Sequence, residues 1–134
     1  MTTTNRSTPK VSVVVPVRNG VPKIARCLQA LSEQTLQPYE VIVVDGHSTD
    51  STVEVAGKFP VTVVYEDHRT VGGARQVGVE RARGDYVAFT DADCIPRKDW
   101  LENLVREFDD GVVGVGGGIK NVGTGLWEES IALA

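Results

Sequence analysis

At 134 residues with 41% hydrophobic side chains, the chain has material for one globular domain with its own core and not for a second independent one. Its 14 basic and 18 acidic residues leave a net charge of -4, and the basic ones are scattered, which excludes a sequence-independent nucleic-acid surface. No apolar run reaches the roughly 18 residues of a membrane span, and the opening stretch to Lys10 is polar rather than signal-like. The expected setting is therefore the cytoplasm, or the cytoplasmic face of a membrane in a longer form.

Residues 1–9 show no periodicity and read as a mobile leader. Val11-Ser-Val-Val-Val15 is a β-branched apolar run ahead of Pro16, which suits a central strand covered on both faces. After Asn19-Gly20, Ile24, Cys27, Leu28 and Leu31 follow helical spacing. Glu40 to Val44 reads as a second buried strand ending at Asp45. Asp50 or Ser51 then caps a short helix, with Ser51 and Glu54 spaced as a capping box. Val61 to Tyr65 is a third strand. Gly72-Gly73 opens a helix carrying Ala74, Val77 and Ala82, which Gly84 would close. Tyr86 to Phe89 is a fourth strand. Pro96 leads a helix with Leu101, Leu104, Val105 and Phe108 on one face, and Val112 to Val115 makes a fifth strand. The glycine-rich remainder ends in Leu126, Trp127, Ile131 and Leu133, spaced for a helix beginning near Glu128 and Glu129.

Strand and helix alternate throughout, so the expected fold is α/β, an open doubly wound, mostly parallel sheet flanked by helices. Ligands of such sheets sit beyond the carboxyl ends of the strands. That places Pro16 to Asn19, Asp45 to Ser48, Glu66 to Arg75 and Asp91 to Asp93 on one rim. Asp91 and Asp93, two apart on an extended backbone, point the same way. Paired carboxylates must diverge into water, share a proton or face a cation. An acidic turn and a Mg²⁺ or Mn²⁺ site shared with substrate phosphates both satisfy that spacing. Cys27 belongs to the apolar face of the first helix and Cys94 to the acidic loop, so both are expected as free thiols. His47 reads as a solvated loop residue, and His68 has no distinguishing context.

Four segments taken together carry a resemblance. They are Val-Val-Pro16-Val-Arg18-Asn19-Gly, Val-Val-Asp45-Gly-His-Ser48-Thr-Asp50-Ser-Thr, Gly73-Ala-Arg75-Gln-Val-Gly78, and Phe-Thr-Asp91-Ala-Asp93 with Asp99-Trp100-Leu downstream. In this order, over residues 10–120, the chain resembles the family-2 inverting glycosyltransferases of GT-A, Rossmann-like fold. The resemblance implies a nucleotide-sugar-binding domain over 10–120 and the start of an acceptor-side segment over 121–134. It also implies that Pro16, Arg18, Asn19 and Asp45 line the base and ribose pocket of a UDP- or GDP-linked sugar. Arg75 would lie near the phosphates, Asp91 would approach ribose and metal, and Asp93 would ligate the Mg²⁺ or Mn²⁺. The family's Asp or Asn followed by Gly after the second strand is Gly46-His47 here.

The resemblance further implies a truncation before the acceptor-binding half, with the catalytic base beyond residue 134 and an unidentified acceptor, while the apolar pattern of the tail, which a helix cannot bury alone, calls for missing chain or a homodimer to cover it. A nucleotide-sugar-binding module without turnover fits the same residues. A haloacid-dehalogenase-type phosphatase also uses a strand-end D-x-D, but after its first strand, whereas here it follows the fourth and continues as Cys94-Ile95.

Overall fold

The valine run opens the sheet. In the computed structural model, which describes residues 9–67, 70–106, 114–120 and 127–133, Val11–Val17 forms β1, hydrogen-bonded between β2 (Glu40–Asp45) and β4 (Tyr86–Phe89). The β2 strand in turn pairs with β3 (Thr62–Tyr65), and all these pairings are parallel. Helices α1 (Lys23–Ser32), α2 (Thr52–Ala56), α3 (Val71–Arg81) and α4 (Trp100–Arg106) provide the crossovers and flanks. Residues 1–8 of the leader, His68, Phe108, Leu126 and, from the expected fifth strand, Val112 and Val113 lie outside the described residues.

Alternation along β1 divides the core. Val11, Val13 and Val15 pack with Ile24, Cys27, Leu28 and Leu31 of α1 and with Leu101 and Leu104 of α4. Val14 faces the other way and joins Ile42, Val44, Val64, Ala74 and Phe89 under α3. Each such fully buried aliphatic side chain contributes about 1.5–3 kcal/mol, so a strand buried on both faces is the stabilising centre of the domain.

Strand β1 runs past Pro16, which the sequence reading takes as its stop. The carbonyl of Val14 accepts from Thr90 N on the β4 side, and that of Val17 accepts from Gly46 N on the β2 side. Alternation therefore turns the backbone of Pro16 toward β4, whose pairing with β1 has already ended at Val14 opposite Phe89. Proline's missing N–H costs no ladder bond there.

The start of α2 departs from the expected box. Ser51 is the N-cap but makes no side-chain cap bond. Asp50 does that work instead, accepting from Thr52 N at 2.9 Å and from the Thr52 hydroxyl, a bond that holds the Asp50 carboxyl below the usual range. Gly84 does not close α3: the helix ends at Arg81 with an extended Ala82 as its C-cap. Gly84 instead lies against β1, its N–H donating to Ser12 Oγ at 2.8 Å, where a Cβ would come within 2.7 Å of the Lys10 carbonyl. The helix after Pro96 begins only at Trp100, with Gln34 Oε1 accepting from Leu101 N at 3.0 Å.

The largest difference is at the far edge. In place of a terminal helix, Trp127–Leu133 forms β6, paired antiparallel to β4 on one side and to β5 (Gly114–Lys120) on the other. The sheet order is β3-β2-β1-β4-β6-β5, a mostly parallel sheet with one antiparallel insertion. Pairing with β5 along its whole length, and with β4 at Leu133, is a tertiary gain that overrides its helical spacing.

Candidate functional site

The strand order places the site. From β1 the chain winds outward through β2 to β3, then returns to β4 on the opposite side of β1. The loops leaving β1 and β4 therefore diverge and open a crevice at their carboxyl ends, where doubly wound sheets hold ligands. A cavity of about 440 Å³ occupies it, lined by Pro16, Arg18, Asn19, Gly20, Lys23, Asp91 and Asp93 among others. A smaller cavity of about 170 Å³ adjoins it, sharing Pro16, Val17, Arg18 and Asp91 and adding Gly46, Glu66, Thr70 and Ala74. Together they form one groove, partly divided at Arg18 and Asp91.

The β4 loop supplies the acidic end. Thr90 N bonds the Val14 carbonyl at 3.1 Å, and the Asp91 carbonyl accepts both Cys94 N at 3.1 Å and the Cys27 thiol at 3.4 Å. These bonds set a tight turn that carries Asp91 and Asp93 on one side. Ligand atoms of Asp91, Asp93 and Cys94 lie within 4.8 Å of one another, with Asp93 exposed and Cys94 buried. Two carboxylates at this separation supply the hard oxygen donors that Mg²⁺ and Mn²⁺ take. Both cysteines are free. Burial first, then the neighbouring Cys94, Asp91 and Asp93, push the Cys27 thiol well above its ordinary range, which keeps it protonated and inert.

The β1 loop is tied to the loop after β2. The carboxylate of Asp45 accepts from Ser48 N at 2.9 Å and from Ser48 Oγ at 2.6 Å, and Ser48 Oγ in turn accepts from Asn19 N at 2.8 Å. Asn19 Oδ1 accepts from Thr49 N at 2.8 Å, and Gly20 N donates to Thr52 Oγ1 at 2.8 Å. This lattice holds Asn19 at φ 54°, a left-handed backbone that asparagine tolerates better than most residues, and so aims Arg18 into the groove. His47 is also left-handed at φ 61°, at the position where the family resemblance expects glycine. It is held by Asp67, at 2.7 Å from Nε2, and by stacking on Tyr65 with ring centroids 5.7 Å apart. The solvated loop histidine of the sequence reading is thus half-exposed but anchored.

Of the seven residues singled out from the sequence, Pro16, Arg18, Asn19, Asp91 and Asp93 line the groove together. Asp45 is buried, 1% exposed, and its carboxylate is engaged by Ser48. Arg75 is exposed on the first turns of α3, its guanidinium 5.6 Å from the Phe89 ring centroid. Lys23 escapes the sequence reading: it looks like an ordinary surface lysine in a first helical turn, and only the fold turns it toward Asp91 and Asp93.

The sequence model of glycosyl transferase family 2 matches residues 12–133. Among curated relatives, the glycosyltransferase AglE of Haloferax volcanii is 39% identical over 121 residues, covering 84% of this chain and 40% of the relative. Among solved structures, the mannosyltransferase PcManGT from Pyrobaculum calidifontis in complex with GDP-Man and Mn²⁺ superposes with a TM-score of 0.72 at 34% identity, covering 81% of this chain and 34% of that one. S. aureus TarS 1–349 in complex with UDP gives 0.67 at 30% identity, covering 72% of this chain and 31% of that one. The chain thus spans 40% or less of the length of these relatives.

Proposed function

The chain belongs to glycosyl transferase family 2, and we propose that it is the donor-binding part of an inverting glycosyltransferase, holding a nucleotide-diphosphate sugar and a divalent cation for transfer of the sugar to an acceptor. The observation that carries this reading is the clustering of Asp91, Asp93 and Cys94 within 4.8 Å at the mouth of a groove that also presents Arg18 and Lys23. GDP-Man with Mn²⁺ in PcManGT and UDP in TarS support both the ligand class and the cation.

Asp91 and Asp93 would hold Mg²⁺ or Mn²⁺, with Asp93 the more open to a diphosphate because it is exposed. When bound, the cation would offset the charge that builds on the leaving diphosphate as the glycosidic bond breaks. Arg18 and Lys23, which line the same cavity, add fixed positive charge. Pro16 and Val17 give the base and ribose an apolar surface, and Asp45 keeps the adjoining loop in shape through Ser48. No helix among the described residues is long and apolar enough to cross a membrane. The two free thiols support work in the reducing cytoplasm.

Calorimetric titration with UDP- and GDP-sugars, with and without Mn²⁺, tests the reading: at least one should bind, and only with the metal. Failure of all of them to bind, or binding indifferent to metal, would overturn it. Arg75→Ala is expected to lower nucleotide affinity by about tenfold, the value of a charge-assisted contact to phosphate. The unliganded melting temperature should stay nearly unchanged, because an exposed cation over one ring is worth only about 0.5–1 kcal/mol. A large loss of unliganded stability would make Arg75 a structural residue instead.

A further inference from the structure

The loop that carries Asp91 and Asp93 has no ladder of its own. From Thr90 to Asp99 the chain belongs to neither strand nor helix, so the two carboxylates stand where the anchors of the loop put them. At the near end, Thr90 N donates to the Val14 carbonyl and the Cys27 thiol to that of Asp91. The far end is held by a glutamine just past the end of α1. Gln34 is 3% exposed; its Nε2 donates to the carbonyls of Arg97 at 2.6 Å and Ala30 at 3.2 Å, and its Oε1 accepts from Leu101 N at 3.0 Å. Thr35 N adds a bond to the Lys98 carbonyl at 2.8 Å. One buried side chain thus joins α1 to the far end of the loop and to the first turn of α4. Two carbonyls and one N–H around it call for a group that donates at one atom and accepts at the other, which a carboxamide does without charge.

We infer that Gln34 is a positioning residue for the cation site, clamping the loop so that Asp91 and Asp93 are held together before the cation arrives. This rests on the donor-site reading above. With ligand atoms within 4.8 Å of one another, the two carboxylates repel, and a loop released at its far end would relax by letting them part. Mg²⁺ demands near-ideal octahedral geometry, so carboxylates that must first be drawn together hold it less tightly. Gln34 acts through the backbone between Asp93 and Leu101 and not as a ligand. The supporting shell of a metal site works in this way, fixing the ligands rather than touching the ion.

Calorimetry with GDP and with UDP in Mn²⁺, well below the melting temperature, compares the unsubstituted chain with Gln34→Met. Methionine keeps the length of the side chain and makes none of the three bonds. Nucleotide affinity in Mn²⁺ should fall by about tenfold, the lower end of what outer-shell partners of a metal site are worth. Ser12→Ala is the control. It removes the buried bonds that Ser12 Oγ makes to Glu40 and from Gly84 N toward the amino end of β1, so it lowers the melting temperature as well but should leave nucleotide affinity unchanged. Affinity that survives Gln34→Met, or falls equally in Ser12→Ala, makes Gln34 merely structural and overturns the assignment. Amide hydrogen exchange of the unsubstituted chain gives a second answer that needs no variant to fold. Leu101 N–H should exchange slowly before any ligand is added and change little with Mn²⁺ and nucleotide. A large rise in its protection would show that the ligand, and not Gln34, orders the loop. Binding of neither nucleotide by the unsubstituted chain would instead overturn the donor-site reading itself.

Discussion

Asp93→Ala is expected to lower metal-dependent affinity for a nucleotide diphosphate by roughly a hundredfold, about 2.7 kcal/mol. Two unit charges about 4 Å apart near a protein surface interact by roughly 4 kcal/mol, so removing one carboxylate from a divalent cation's shell readily accounts for a loss of that size. The same change should leave the unliganded protein as stable as before. Asp93 is exposed, its neighbour in the cluster is another carboxylate, and relieving that repulsion offsets whatever small contact is lost to Cys94 Sγ at 3.7 Å. Titrations of nucleotide with and without Mn²⁺ on both proteins, beside a thermal melt, separate the two effects. Metal-dependent affinity that survives the substitution would remove Asp93 from the cation site.

Gly78→Val should produce the largest loss of stability. Gly78 lies in α3 where the helix crosses β1, and a Cβ there would stand 2.3 Å from Val14 Cγ1 and 2.8 Å from Cγ2. Val14 is fully buried and part of a strand paired on both sides, so it has nowhere to move. Overpacking of a tight core costs about 1–3 kcal/mol and sometimes more, and a β-branched residue at this contact belongs at the upper end. A fall in melting temperature of roughly 10 °C or more follows for a domain of this size. Gly78→Ala should be milder, because alanine recovers up to about 1 kcal/mol of helix propensity against the same clash. A Gly78→Val protein that melts within a few degrees of its parent would show that α3 does not sit so closely on β1. Since α3 also carries Ala74 on the groove wall and bears Arg75, nucleotide affinity should weaken along with stability.

Much of the site was readable before the fold because its chemistry is local. Asp91 and Asp93 stand just past the apolar segment Tyr86 to Phe89, which puts them at a strand terminus; a tight turn there, rather than the expected strand alternation, brings their carboxylates together. Pro16, Arg18 and Asn19 follow the valine run in the same way and do line the groove. The reading is less complete for Asp45 and Arg75. An aspartate three residues before a serine can turn inward to hold the loop, and only the positions of Ser48 and Asn19 reveal that it does. For Arg75, the rotation of α3 places it over Phe89, a residue from the neighbouring strand segment that no spacing in the sequence links to it.

What the sequence by itself determined is whatever depends on near neighbours along the chain. The β-branched run of β1, the apolar stripe of α1 at Ile24, Cys27, Leu28 and Leu31, the strand and helix alternation, and the carboxylates beyond β4 all follow from period and composition over a few residues. What only the tertiary structure decided depends on partners far away. The terminal segment became β6 because β4 and β5 each offered it an unpaired edge, and hydrogen bonds on both sides outweigh its weak helical pattern. Pro16 could stay within β1 because β4 ends early on the side that proline leaves without a donor. Lys23 lines the groove beside Asp91 and Asp93, and Cys94 is buried in the core next to them, because the burial and electrostatics of a side chain are set by what surrounds it in space.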